Sequence, residues 1–450
     1  MQTLISKEKI EEREKNNIGT AGLKIKRVFT KEGKDRFDGI TFVKTTSKIS
    51  NPDGSVVFEM KDIEVPALWS QVAIDILAQK YFRRTGIPLK DAEGNPIKDE
   101  KGQQVYGGET SVKQTVNRLA GAWRWWGEKY GYFDSVQDVD AFEDEIAYML
   151  ITQIAAPNSP QWFNTGLQWA YGITGTPQGH WYADPETGEL KLSPDAYTRT
   201  QAHACFILSI KDDLVNEGGI FDTLTTEARI FKYGSGTGTN FSALRGEGET
   251  LSGGGKSSGL MSFLKIFDTG AGAIKSGGTT RRAAKMVTLD IDHPEIESFI
   301  EWKAKEERKV AAIVTGSNTN YEHLKSILKL AIENGIDPES NPELKKAIKN
   351  AKNAHIPLNY IKRILMLVEN GIKEDEFTFE KYDTDVRSEA YSTVSGQNSN
   401  NSIRVTNEFF KSLEENKEWV LTARTNGKVI KKLQASDLWD KVVRSAWESA

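Results

Sequence analysis

Two kinds of residue in this sequence could do chemistry: a single thiol and a series of glycine-rich turns. The thiol is Cys205, inside the apolar run ACFILSI (Ala204–Ile210). Composition alone reads it as a small buried hydrophobe. The densest glycine stretch is GEGETLSGGGKSSG, residues 246–259, with Gly255-Lys256-Ser257 near its end. A nucleotide-hydrolysing phosphate loop needs a glycine five positions before the Gly of Gly-Lys-Ser, and Thr250 stands there. The upstream GSGTGT (Gly234–Thr239) misses a dinucleotide fingerprint at its sixth position, Thr239. Glycine-rich turns have another use, since their backbone N–H groups bind phosphates without a lysine. Segments 234–238, 246–259 and KSGGTTRR (275–282) qualify. The amide-rich SGQNSNNS (395–402) is suited instead to hydrogen-bonding a base or sugar. Phosphate-ready turns, an amide loop and a thiol together point to a nucleotide as substrate, regulator or both.

Composition narrows the classes. The 450 residues predict about two to three domains. A hydrophobic content of 38% supports a large core, and a net charge of −4 leaves no basic footprint for nucleic acid. The charged start MQTLISKEKIEEREKNN is not a signal peptide, and no apolar run reaches the ~18 residues of a membrane span. The expectation is a cytoplasmic protein without membrane contact. One cysteine excludes an internal disulfide framework, and five scattered histidines show no ligand spacing, so no metal site is expected.

The elements that must carry these residues read as follows. Residues 1–60 suggest short strands with a turn at Pro52-Asp53-Gly54. Residues 65–165 read as helical. Val112, Val116, Leu119, Trp123 and Trp126 form one stripe, capped by Thr110 or Ser111. The tryptophans 123, 125 and 126 are read as core rather than as a stacking platform. Residues 171–200 read as a loop. Five strands are then predicted: 204–210 (buried), 239–245, 283–291, 401–406 and 418–424. Helices of about 218–233, 259–275 and 293–308 separate several of them. The alternation indicates an α/β domain with a mainly parallel sheet. A helical block intervenes, with a helix starting at Asn341-Pro342 and another ending at Asn370-Gly371. Its lysines are read as a solvated face. The last segment, SDLWDKVVRSAWESA, starts at a Ser436 cap and runs to Ala450, which suggests a part of a longer or split polypeptide.

The strings NSPQWFN (158–164), HACFILSIKDDL (203–214), FKYGSGTGTNFSALRGEGETLSGGGKSSGLMSFLKIFDTGAGAIKSGGTTRRAAKMV (231–287), DHPEIESFIEWK (292–303) and SEAYSTVSGQNSNNSIRVTNEFF (388–410) closely resemble the adenosylcobalamin-dependent (class II) ribonucleotide reductases. The resemblance runs from about residue 20 to the last residue, without that family's frequent N-terminal ATP-cone module. It implies an N-terminal, mainly helical domain followed by the first five-stranded half of a ten-stranded α/β barrel. Its partition is a 1–60 extension, a 61–200 helical domain and a 201–450 half-barrel with a helical insertion at about 316–390.

The resemblance also implies roles. Cys205 matches the first of two cysteines that reduce the substrate's 2′-carbon and become a disulfide. Ser159, Ala204, Cys205 and Gly236 match substrate-contacting positions, with Ser159 near phosphate. Asp212 matches the acid that bonds a deoxynucleotide effector's sugar. Arg245 begins the first specificity loop, in which 246–259 and the following helix start hold the effector; 395–402 matches the second loop. The implied cofactor is adenosylcobalamin. The implied partners are a ribonucleoside di- or triphosphate, a dNTP or ATP effector, a thioredoxin-like reductant and a second copy contacting through helices 218–233 and 259–275. The radical cysteine, the second redox cysteine and the base glutamate lie in the family's later half-barrel, so a C-terminal portion is implied as partner too. A non-catalytic nucleotide-binding remnant and the iron-dependent class I large subunit are the alternative readings.

Overall fold

The computed structural model describes residues 22–50, 54–91, 94–276, 281–385 and 388–449. The charged start of the chain, the turn residues Pro52 and Asp53, and positions 277–280 of KSGGTTRR lie outside the described residues. The chain divides into two compact units. One comprises Met1–Leu208, Phe221–Gly238 and Ala273–Lys285; the other comprises Ser209–Ile220, Thr239–Gly272 and Met286–Ala450.

In the first unit, strands Phe42–Ser50 and Val56–Pro66 pair antiparallel. Their inward residues Ile63 and Val65 meet helix Val112–Lys129 through Val112, Val116 and Leu119, all fully buried. Each such side chain contributes roughly 1.5–3 kcal/mol by leaving water. Ser111 caps this helix, and Gln114 reaches back to the Ser111 N–H to complete a capping box. Trp123 packs against the same core, so the stripe is structural. Residues 171–200 are not all loop: Trp181–Ala183 and Leu190–Leu192 form a short antiparallel hairpin. Its turn closes with the Gly188 N–H donating to Asp184 O at 2.7 Å.

The run ACFILSI forms strand Cys205–Leu208, but it is not a buried strand. Phe206 and Leu208 are half-buried, whereas Cys205 is exposed and Ile207 is 95% exposed. Successive strand residues face opposite sides, and only one side of this strand is covered among the described residues. The small-buried-hydrophobe reading of Cys205 is therefore corrected. Also in this unit, Glu227 of helix Ile220–Lys232 is fully buried against Lys285, Nζ to Oε2 2.6 Å.

The predicted strand 239–245 is shifted to Gly236–Asn240, after which Phe241–Leu244 turn. Strands Lys285–Asp290 and Ser399–Arg404 follow the sequence reading closely. In the first unit Thr237 N donates to Ala284 O, and in the second Phe241 N donates to Thr288 O. Both partners advance by four residues, which is the parallel register. Taken in order, the sheet reads Ser399–Arg404, Lys285–Asp290, Gly236–Asn240, Cys205–Leu208. The expected fifth strand is not part of it. Glu418–Thr422 pairs antiparallel with Val429–Gln434 in a separate hairpin, because the short turn between them lets neighbouring segments pair locally.

In the second unit, helix Ile296–Asn334 runs 39 residues, well past the predicted end near 308. Its later half packs with Pro342–Asn353 and Leu358–Glu369 around Leu324, Ile327, Leu328, Leu344 and Ile361. Asn341 caps the second of these helices and Pro342 opens it; Asn370 and Gly371 (φ +86°) close the third. The last helix, Ala435–Ser449, starts before Ser436, which is thus inside it and not its cap. Among the described residues no helix is long and apolar enough to cross a membrane.

Candidate functional site

Two sets of the predicted residues are brought together, one in each unit. In the first unit, helix Ser159–Asn164 starts at Ser159, with the Asn158 side chain accepting from Gln161 N and Pro160 in its first turn. The Ser159 hydroxyl lies 3.0 Å from the Tyr81 hydroxyl. At the helix's far end the buried Asn164 donates its amide to Tyr233 O at 3.1 Å and Gln201 O at 3.5 Å. Ser235 Oγ donates to His203 O at 2.5 Å, and Gly236 N donates to Ala204 O at 2.6 Å. Ser159, Ala204, Cys205 and Gly236 are thus carried on segments bonded to one another. A Cβ on Gly236 would sit 2.8 Å from Ala284 O, so the close strand approach requires glycine. Asn164 and Ser235 were missed in the sequence, where each reads as an ordinary polar residue.

In the second unit, Asp212 and Arg245 are 33 positions apart, yet Arg245 Nε donates to Asp212 Oδ2 at 2.6 Å. They line a cavity of about 280 Å3 with Leu214, Leu244, Lys256, Ser257 and Phe263. Asp213 holds the adjoining turn by accepting from the Asn216 side-chain amide and from the Val215 and Asn216 backbone N–H groups, and these bonds, the Asn216 side chain's foremost, keep its carboxyl below the usual range.

The glycine-rich stretch 246–259 is braced by bonds within itself. It folds on itself: Gly248 N donates to Ser257 O, Leu251 N to Gly255 O and Ser257 N to Glu249 O, each at 2.9 Å. Buried Glu249 fastens this loop by accepting from Gly246 N (2.8 Å), Thr425 N (2.9 Å) and Thr425 Oγ1 (2.7 Å). Burial alone would raise the Glu249 pKa, but these hydrogen bonds outweigh it and the net shift is downward.

The start of helix Leu260–Ala273 is occupied as well. Glu295 accepts from Leu260 N at 2.6 Å and Glu247 N at 3.2 Å, and burial pushes its carboxyl pKa up. The helix-start N–H groups expected to hold an anion are therefore met by the protein's own carboxylate. Lys256, Ser257 and Ser258 supply the polar wall of the cavity instead.

Beneath this loop His293 is fully buried with Nε2 2.9 Å from Leu244 O. Burial depresses its pKa to about 4. The unfolded chain protonates at its ordinary value, so it takes up a proton between about pH 6.5 and 4 that the folded state refuses. Stability is expected to fall with pH across that window, by roughly 2 kcal/mol between pH 7 and pH 5. His293→Gln should lose less over the same interval; equal pH dependence of the urea midpoints in both proteins would refute the assignment.

The amide loop 395–402 is held from two helices. Asp268 on helix 260–273 accepts from Gly396 N at 2.7 Å and Asn398 N at 2.9 Å. From helix 296–334, Lys303 donates to Gly396 O at 2.6 Å and Ser399 O at 2.5 Å, and Glu306 accepts from Ser395 N at 2.9 Å. Burial lowers the Lys303 pKa. Asp268 was legible as a signal, a lone acid on the buried stripe Leu260, Leu264, Phe267, Asp268, Ala271. Among the described residues no group of three His, Cys, Asp or Glu could hold a metal ion.

Comparison with known proteins gives this geometry a context. Residues 43–153 match the family described as class II vitamin B12-dependent ribonucleotide reductase, and residues 203–450 match the ribonucleotide reductase barrel domain. A vitamin B12-dependent ribonucleotide reductase of Agrobacterium fabrum is 57% identical over 95% of this chain and 35% of its own length. One of Bradyrhizobium diazoefficiens is 55% identical over 95% of this chain and 36% of its own. One of Streptomyces clavuligerus is 34% identical over 97% of this chain and 34% of its own. The chain spans about a third of the length of these curated relatives. With its barrel-domain match covering more than half of the sequence, the chain belongs to the vitamin B12-dependent, class II ribonucleotide reductase family.

Proposed function

We propose that this chain is the portion of a ribonucleotide reductase that binds a deoxynucleotide effector, forms part of the substrate site and supplies one of two reducing thiols. The cavity at Arg245 and Asp212 carries the reading. It joins a carboxylate suited to a sugar hydroxyl, the cations Arg245 and Lys256 suited to phosphate, and apolar Leu244 and Phe263 suited to a base. The substrate side is Ser159, Ala204, Cys205 and Gly236, on segments tied by Asn164 and Ser235. In this reading residues 61–200 form the helical domain, 201–450 begin the α/β barrel with 316–390 as a helical insertion, and 1–60 precede them.

The family's cofactor is adenosylcobalamin, which supplies a radical by homolysis of its cobalt–carbon bond. Two histidines of this chain are committed elsewhere, the buried His293 to Leu244 O and the half-buried His180 to Arg199 O and Tyr233. Neither of these two imidazoles is free to hold the group. What this chain contributes to the chemistry is the Cys205 thiol. Two thiols, Cys205 and a second on the remainder of the protein, would deliver two electrons and two protons. The substrate's 2′-hydroxyl leaves as water and a disulfide forms. A thioredoxin-like dithiol then restores the pair. The chain would therefore be inactive until a C-terminal portion completes it, in the same polypeptide or as a separate chain, with a second copy at helices 220–232 and 260–273.

Calorimetry with deoxynucleoside triphosphates tests the effector site. The wild-type chain should bind, and Arg245→Ala should weaken binding about tenfold to a hundredfold, the worth of a lost charge-assisted hydrogen bond. An unchanged affinity would remove the assignment.

A further inference from the structure

We propose that Tyr81 is a positioning residue for the substrate's phosphate, acting through the Ser159 hydroxyl. This role rests on the substrate reading above, and every residue it uses lies in the first unit. Helix Gln71–Ile76 does not end as an α-helix. Leu77–Tyr81 widen into a π-helical turn, closed by Phe82 N donating to Leu77 O at 3.0 Å. Such turns are rare and, where they occur, are frequent at functional sites. This one brings Tyr81 against helix Ser159–Asn164. The Tyr81 hydroxyl lies 3.0 Å from Ser159 Oγ, 78 positions away. Its ring centroid is 5.2 Å from that of Phe163 and 5.8 Å from that of Trp162. Ser159, Trp162 and Phe163 are spaced i, i+3, i+4, so Tyr81 lies along one face of that helix with its hydroxyl at the helix start.

Packing alone does not call for that hydroxyl, because a phenylalanine ring would meet Trp162 and Phe163 in the same way. Phosphate chemistry does. A phosphate oxygen only accepts, so a serine that serves it must turn its own O–H towards it, and an alkyl hydroxyl rotates to suit its partners. A phenol is more acidic than an alcohol and is the better donor of the two. Tyr81 therefore donates, Ser159 Oγ accepts, and the serine hydrogen points away from Tyr81. Hydrogen bonds in such a chain polarise and strengthen one another. Both residues are half-buried, so the pair is partly open to solvent. One arginine holds both sides of it. Arg118 Nη2 reaches Tyr81 O at 3.4 Å and donates to Trp162 O, on the serine's helix, at 2.7 Å. Its partner Glu109 accepts from Arg83 N at 2.8 Å, and Glu109 N donates to Arg83 O at 2.7 Å. The buried pair thus fixes the segment that carries Tyr81 and the helix that carries Ser159 together.

Calorimetry on this chain combined with a C-terminal portion tests this, with the Arg245 cavity filled by dTTP and with CDP, CTP and phosphate-free cytidine as probes. Tyr81→Phe keeps the ring and its packing. It should weaken CDP or CTP, whichever the wild type takes, by roughly threefold to tenfold, the worth of a neutral hydrogen bond, and leave cytidine unchanged. Ser159→Ala should weaken the same nucleotide by about tenfold or more. In the double variant the losses should not add. Affinity should equal that of Ser159→Ala alone, because Tyr81 acts only through the serine. Additive losses, an unchanged affinity in Tyr81→Phe, or a loss shared by cytidine, as a merely structural ring would give, each overturn the proposal and leave Ser159 in the site. An unchanged affinity in Ser159→Ala, or a wild type that binds neither nucleotide, overturns the substrate reading itself, and this one with it.

Discussion

Cys205→Ser is expected to abolish repeated deoxynucleotide formation when this chain is combined with a C-terminal portion, adenosylcobalamin and a dithiol reductant. The argument is chemical. A hydroxyl cannot give up an electron to form a disulfide, so the two-electron reduction proposed at the 2′-carbon would lose one of its donors. The structure favours a sharp result. Cys205 is exposed at the start of its strand, so the substitution leaves no cavity and disturbs no packing. Its neighbours in the strand register, Ala204 O to Gly236 N, involve only backbone. Deoxynucleotide binding at Arg245 should remain at wild-type affinity. Product formation by the variant at the wild-type rate would remove Cys205 from the redox pair.

Glu109→Ala is expected to cost about 3–5 kcal/mol of stability in the first unit. Arg118 and Glu109 are each 1% exposed and paired, Nε to Oε1 2.7 Å. Arg118 also donates to Trp162 O at 2.7 Å and Thr165 O at 2.8 Å, while Glu109 accepts from Arg83 N and the Tyr171 hydroxyl. Removing the carboxylate strands a buried guanidinium, which is far more costly than losing a surface pair. The same network holds the end of helix Ser159–Asn164, so it supports the proposed substrate side as well. Next to it Gly166 has φ +80°, and a Cβ there would lie 2.0 Å from Arg118 O. Urea unfolding is the measurement, and a loss below about 1 kcal/mol, the surface-pair range, would show the pair to be dispensable.

Much of the molecule was written locally. The periodic stripe from Val112 and the Ser111 cap gave helix 112–129 its place. Asn341-Pro342 and Asn370-Gly371 marked helix ends because capping and positive φ are properties of a few adjacent residues. The long motifs 203–214 and 231–287 identified the family directly. Local reading failed where the decision was not local. Glu418–Thr422 has the composition of a sheet strand, yet pairing with Val429–Gln434 drew it into its own hairpin. ACFILSI reads as buried, yet strand alternation put Cys205 and Ile207 on an uncovered side.

What the sequence by itself determined, then, was the family and most elements, since these depend on residue type and short spacing. Only tertiary structure decided that Arg245 meets Asp212, that Glu295 fills the helix start meant for an anion, and that Asp268 holds Gly396. Those pairings join residues 33 to 128 positions apart. Hydrogen bonds act over about 3 Å, so no pattern along the chain reports them until folding brings the partners within reach.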